Sequence, residues 1–153
     1  MSEPFSVVAA SISLAQLCLT AVASIYALFS KANSVDRTLS SLADQVNLLA
    51  TVLKSISETY TSTETTRQGH PALENHWAHV RVAMKDCEQT LNNLENLLKE
   101  IRFENGRFFR RARTQVGMEI QTSQIKSYNE TIGAFCRTMQ ISFQLLNLYT
   151  FNI

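Results

Sequence analysis

Glycine and proline are scarce in this chain, with four and two among 153 residues. That scarcity argues against a turn-rich β fold and favours long, uninterrupted helices. No stretch of useful length alternates apolar and polar residues, so no strand is predicted. Cysteine is sparse as well. Cys18, Cys87 and Cys136 are far apart, odd in number and outside any CxxC pair. This fits free thiols in a reducing compartment and not a disulfide framework. Charge is missing from the opening: from Pro4 to Ser30 there is no Asp, Glu, Lys or Arg.

What is present is a globular profile. Hydrophobic residues make up 45% and charged residues 18%, which excludes a disordered chain. The length suits one domain, residues 1–153, with a core of its own. The net charge of +1 gives no overall pull toward nucleic acid or acidic partners. Charge is nevertheless uneven: residues 1–60 sum to −1, 61–100 to −2 and 101–153 to +4. Arg107, Arg110, Arg111 and Arg113 account for the last value.

Helical periodicity organises the rest. Val35, Leu39, Leu42, Val46, Leu49, Leu53, Ile56 and Tyr60 follow a 4-3-4-3-4-3-4 spacing, one stripe along a helix that Ser34 can cap. Leu73, Trp77, Val80, Met84, Cys87, Leu91, Leu94, Leu98 and Ile101 form a second stripe. Pro71 stands at its start, where a missing N–H is harmless, and Asn105-Gly106 at its expected stop. Ile125, Tyr128, Ile132, Phe135, Met139, Leu146 and Tyr149 form a third. Ile141, Phe143, Leu145 and Leu148 are additional, so burial on more than one side is expected at that end. The link 31–34 is short and implies an antiparallel hairpin. The Thr-rich stretch 61–70 reads as an exposed loop. The predicted fold is all-α, an up-down four-helix bundle with helices at roughly 5–30, 34–60, 71–104 and 118–151. The basic link 106–117 leaves room for a short fifth helix between the third and last.

The uncharged opening helix admits two readings. A signal peptide fits poorly, because "MSEPF" has an acid and no base and the apolar run is too long. Ser13, Gln16, Thr20 and Ser24 form a thin polar stripe. Val8, Ile12, Leu19 and Tyr26 occupy one apolar face, and Leu14, Leu17, Ile25 and Leu28 another. Such a helix can lie at the centre of a bundle, its hydroxyls bonded back to their own backbone. It also meets the length of a membrane span, without the ~2.5–3.5 kcal/mol that each charge would cost there. The candidate membrane-contacting residues are Phe5, Val8, Ile12, Leu14, Leu17, Leu19, Ile25, Leu28 and Phe29.

Other chemistry is thin. His76 and His79 share a helical face with no clear third ligand, so they read as ordinary surface histidines and no metal site is expected. The cysteines fall in apolar stretches, and the carboxylates are scattered over polar faces. No enzymatic activity and no cofactor are expected. The run "RFFRRAR" is the main polar feature. Arg107, Arg110, Arg111 and Arg113 suit phosphate or anionic lipid headgroups, with Phe108 and Phe109 as anchors. A solvated turn with Glu104 or Glu119 as counterions, or a protein partner, accounts for the same residues. One short patch on a near-neutral domain is a small footprint for nucleic acid, and none is expected as a partner.

"MSEPFSVVAASISLAQLCLTAVASIYALF", then "LSSLADQVNLLATVLKSI", then "GRFFRRAR" leading into a long helix, resembles the HeLo-like N-terminal domains of fungal STAND proteins, the NLR-like receptors. The resemblance covers most of the chain and consists of patterns of residue type. It implies a signalling bundle placed ahead of a nucleotide-binding module or an amyloid-like motif. In related HeLo-type domains the bundle is a cell-death effector whose N-terminal helix targets membranes. The animal necroptosis pseudokinase effector has an analogous bundle. The chain departs from the full architecture in having no GxxxxGK[ST] loop. The resemblance implies regulated cell death in incompatibility or innate immunity, by self-association on activation and membrane targeting of the first helix. It further implies a cytoplasmic domain that associates conditionally with the plasma membrane. The alternative is a non-lytic adaptor that binds other helical proteins.

Overall fold

The computed structural model describes residues 3–32, 37–107 and 115–151, with side chains described for 7–28, 37–64, 67–101 and 123–149. These residues form α1 (Glu3–Ala32), α2 (Arg37–Ser62), α3 (Glu64–Arg67), α4 (Pro71–Arg107) and α5 (Gln115–Phe151). No strand occurs among the described residues. The all-α bundle expected from the periodicity is the observed fold.

The long helices form a ring. α1 packs against α2 and α4, and α5 packs against the same two helices. α1 and α5 therefore occupy opposite corners, as do α2 and α4. Asn129 Nδ2 donates to Ser41 Oγ at 3.0 Å and Gly133 lies beside Gln45, so α5 and α2 run parallel. His76 and Ser142 meet across 3.0 Å, and the rings of His70 and Tyr149 meet at 5.3 Å. The start of α4 therefore lies against the end of α5, and these two run antiparallel. Chain direction alternates along the sequence. Because α2 and α4 sit diagonally, two neighbouring pairs around the ring are parallel.

The stripes read from the sequence are the core. Leu42, Val46, Leu49, Leu53, Ile56 and Tyr60 of α2 are buried, as is the whole α4 stripe from Leu73 to Ile101. His70 carbonyl accepts from Leu73 and Glu74 N–H at 3.1 Å, so Pro71 stands at the first helical position, where it lacks no needed bond.

Several expectations are corrected. α4 continues through Asn105-Gly106 to Arg107. The stretch 61–70 is mostly helical, not a loop throughout: α2 runs to Ser62, α3 follows after one residue with Arg67 N–H donating to Thr63 carbonyl at 2.9 Å, and only 68–70 form the turn into α4. Thr61 and Thr63 hydroxyls bond back to Ser57 and Thr59 carbonyls, so the Thr-rich composition is compatible with helix. α1 is not central but holds one corner. The end of α5 is buried on one side only: Ile141 and Leu148 are exposed, because a corner helix has two neighbours. The Ser34 cap and the short helix expected within 106–117 fall largely on residues 33–36 and 108–114, outside the described residues. A short helix is observed between the second and third long helices, α3.

Cys18, Cys87 and Cys136, from α1, α4 and α5, are free and buried. Burial, helped by Cys136, pushes the Cys87 thiol up to about 12, and burial raises Cys136 despite Arg137 beside it. Buried thiols of this kind are inert. Alkylation at neutral pH should therefore modify them only as denaturant unfolds the chain, with reaction and loss of helicity following one curve. In the unfolded chain the thiol ionises near its ordinary value of 9.0, while the folded form keeps its proton. Stability should therefore fall as pH rises above about 9, a decline checked by denaturant midpoints.

Candidate functional site

α1 is the element that the sequence singles out, and its two faces have different environments. The inner seam is Val7, Ser11, Leu14, Cys18, Ala21, Ile25 and Leu28, all buried against α2 and α4. The outer seam is Ala9, Ile12, Gln16, Leu19, Ala23 and Tyr26, all exposed. Ile12, Leu19 and Tyr26 are 47%, 57% and 50% accessible. Both seams keep heptad spacing; the inner one is packed into the bundle and the outer one is exposed. The segment Val7–Leu28 is long and apolar enough to cross a membrane, with a third of it buried.

The predicted membrane set divides between these faces. Leu14, Ile25 and Leu28 are buried, Val8 and Leu17 are half-buried, and Ile12 and Leu19 face solvent. Phe5 and Phe29 lie in the α1 backbone, with side chains outside the described residues. Ser13, Gln16 and Thr20 are exposed beside the outer seam, and Thr20 hydroxyl donates to Gln16 carbonyl at 3.0 Å. Ser24 is half-buried and donates to Glu95 Oε1 of α4 at 2.8 Å, a polar tie between α1 and the ring. Ser11 Oγ and Glu95 Oε2 are buried without a hydrogen-bond partner. Of the basic cluster, Arg107 ends α4 with its side chain outside the described residues, and Phe108, Phe109, Arg110, Arg111 and Arg113 lie outside them altogether.

A second polar centre went unrecognised in the sequence. Arg67, at the end of α3, is 1% accessible. Its guanidinium carbon sits 3.3 Å from the centroid of the Tyr60 ring. Its nitrogens donate to Tyr60 carbonyl at 2.7 Å, to Glu74 Oε1 at 2.8 Å and to Thr63 Oγ1 at 3.3 Å. Tyr60 in turn meets Trp77 edge-on at 5.3 Å. One side chain thus joins the end of α2, α3 and the start of α4. The planar fork and stacking make this an arginine site and not a lysine site. Arg67→Ala should lower the unfolding free energy by about 2–4 kcal/mol, and Arg67→Lys should recover only part of it, read by chemical denaturation.

Of the two histidines on the α4 face, His76 is a packing group and His79 a surface one. His76 Nε2 lies 3.0 Å from Ser142 Oγ, and the His76 ring stands edge-on to Trp77. His79 is exposed. No group of three His, Cys, Asp or Glu able to hold a metal occurs among the described residues. Burial, then the neighbouring His79, lowers the His76 pKa below its ordinary 6.5. Above that pH both folded and unfolded forms are neutral. Below it the unfolded chain takes up a proton that the folded one resists, so stability falls with acidification. Denaturant midpoints between pH 7 and about pH 5 should fall more steeply for the native chain than for His76→Gln.

A shallow groove runs between α2 and α5, lined by Val52, Arg137, Gln140, Ile141 and Gln144. Leu48 is exposed on the same side of α2, one turn from Val52.

The model of the family described as pigment biosynthesis cluster protein PigL N-terminal matches residues 2–153. No curated protein matches the chain, and no solved structure does. With all but the first residue covered by that model, the chain belongs to the PigL N-terminal family, as a fungal helical N-terminal domain.

Proposed function

We propose that this domain is a HeLo-like signalling effector of an NLR-like protein, acting in regulated cell death through self-association and delivery of α1 to a membrane. The observation that carries this reading is α1 itself: uncharged from Pro4 to Ser30, of spanning length, and held to the bundle by one face. Its polar groups are suited to such a transfer. Thr20 hydroxyl is satisfied within the helix, and Ser24 gives up one bond, to Glu95, on leaving. The basic run Arg107–Arg113 would add attraction to anionic headgroups of about 1 kcal/mol per charge near the surface. The domain acts from the cytoplasm, meets the plasma membrane on activation, and needs neither catalysis nor a cofactor. A second reading, a non-lytic adaptor for helical partners, is favoured by the α2–α5 groove with Leu48 and Ile141 exposed beside it.

Ser13 and Gln16 are exposed, so a charge at either position should spare the bundle, within about 0.5 kcal/mol. The same charge in a bilayer costs ~2.5–3.5 kcal/mol, near a hundredfold in partition. The domain forced to oligomerise by a fused trimeric coiled coil should release dye from anionic vesicles. Ser13→Asp and Gln16→Glu should suppress that release while leaving thermal unfolding unchanged. Full leakage by the folded variants, or no vesicle binding by the forced oligomer, would count for the adaptor.

A further inference from the structure

We propose that Ser24 and Glu95 form a release catch on the α1–α4 seam: the closed bundle satisfies the Glu95 carboxylate only in part, and the opening of α1 returns it to water. The catch works on the docking of α1 in water and holds whether or not a membrane receives the helix.

The seam is otherwise apolar. α1 has no charged residue from Pro4 to Ser30, and Ala21, Ile25 and Leu28 are buried on its inner side. α4 brings Leu94 and Leu98, both buried. Glu95 follows Leu94 and is half-buried, so a carboxylate stands at the edge of this packing. Ser24 Oγ donates to its Oε1 at 2.8 Å. Oε2 is covered and has no hydrogen-bond partner. No cation pairs with Glu95 among the described residues. A carboxylate offers about four acceptor sites, and one hydroxyl fills one of them. A charge covered without its full set of partners raises the energy of the state that covers it.

The open form supplies what the closed form withholds. Thr20, one turn before Ser24, donates to Gln16 carbonyl at 3.0 Å within α1. A serine in a helix has the same bond open to it, to the carbonyl four residues back. Ser24 bonds to Glu95 instead in the closed form, and regains the local bond when α1 leaves. Glu95 stays on α4 and regains water at the same moment. Both ends of the tie thus have a replacement in the open form, whereas the apolar residues around them have none in water. The bond favours docking, and the covered charge opposes it. α1 is therefore held less firmly than an unbroken apolar seam would hold it, by an amount that one pair of residues sets. An ordinary structural hydrogen bond predicts weaker docking however the pair is removed. A catch predicts weaker docking when Ser24 goes alone, and tighter docking when the charge goes with it.

Hydrogen exchange of the 153-residue chain, followed by mass spectrometry on peptides from α1, reads the opening equilibrium. Vesicles are absent, so the outcome is independent of dye release. Ser24→Ala leaves the carboxylate with no partner and should speed α1 exchange about tenfold or more. Ser24→Ala combined with Glu95→Leu carries the apolar seam through and should slow α1 exchange about fivefold below the native chain. Glu88→Leu, exposed on the same helix, should leave α1 exchange unchanged. Each variant is verified as folded by circular dichroism, and the double variant decides by itself should the single one not fold. A double variant whose α1 exchanges at the native rate or faster overturns the proposal, since the pair is then an ordinary structural bond. So does Ser24→Ala with native exchange, because the tie then holds nothing. An equal slowing by Glu88→Leu overturns it too, because leucine on α4 then acts without regard to the seam.

Discussion

Apolar burial along the inner seam of α1 holds the closed form together. Leu14, Ile25 and Leu28 are buried there, and each large apolar side chain contributes about 1.5–3 kcal/mol. Three such residues amount to roughly 5–9 kcal/mol, comparable with the whole stability of an ordinary domain. In water alone, then, α1 stays docked. It can leave only into surroundings that take up the same apolar surface, whether a bilayer or other protein. Its lack of charge makes that exchange feasible, since no ion has to be stripped of water on the way.

The opposite device operates around α3. There a fully buried guanidinium is satisfied by a ring face, a carbonyl, a carboxylate and a hydroxyl. Such a centre tolerates little displacement, because any shift leaves a buried charge short of partners. It anchors the crossing from α2 to α4 that sets these two helices at opposite corners. One end of the bundle is thus tied by specific polar geometry, while the α1 corner is held mainly by non-directional apolar contact. The two kinds of restraint differ in how they fail: the first breaks abruptly, the second slides.

The α2 and α4 cores were legible because each is a single uninterrupted period with charges on its other faces. The two apolar faces of α1 were also legible, but not which of them points inward. Val8, Ile12, Leu19 and Tyr26 look as buriable as Leu14, Leu17, Ile25 and Leu28 when neither side carries a charge. The decision lies in α2 and α4, not in α1. Arg67 was invisible for a different reason. Thr and Ser around it signal a loop, and its partners Tyr60 and Glu74 lie seven residues away on either side. Only a chain that stays helical through residue 67 brings them together. At the end of α5, apolar richness at Ile141 and Leu148 suggested burial that the ring geometry does not provide.

The ring arrangement carries a kinetic consequence. α1 touches α2 and α4 extensively, whereas α5 lies across the ring and keeps both of its own neighbours when α1 is gone. Opening at the α1 corner is therefore a sub-global event, and amide protons of α5 stay protected through it while those of α1 exchange. α1 packs only on α2 and α4 among the long helices, so its contacts can open without those between α2, α4 and α5 being broken. On the proposed effector reading, the first helix would leave a partly preserved three-helix remainder and return to it without repeating the whole of folding.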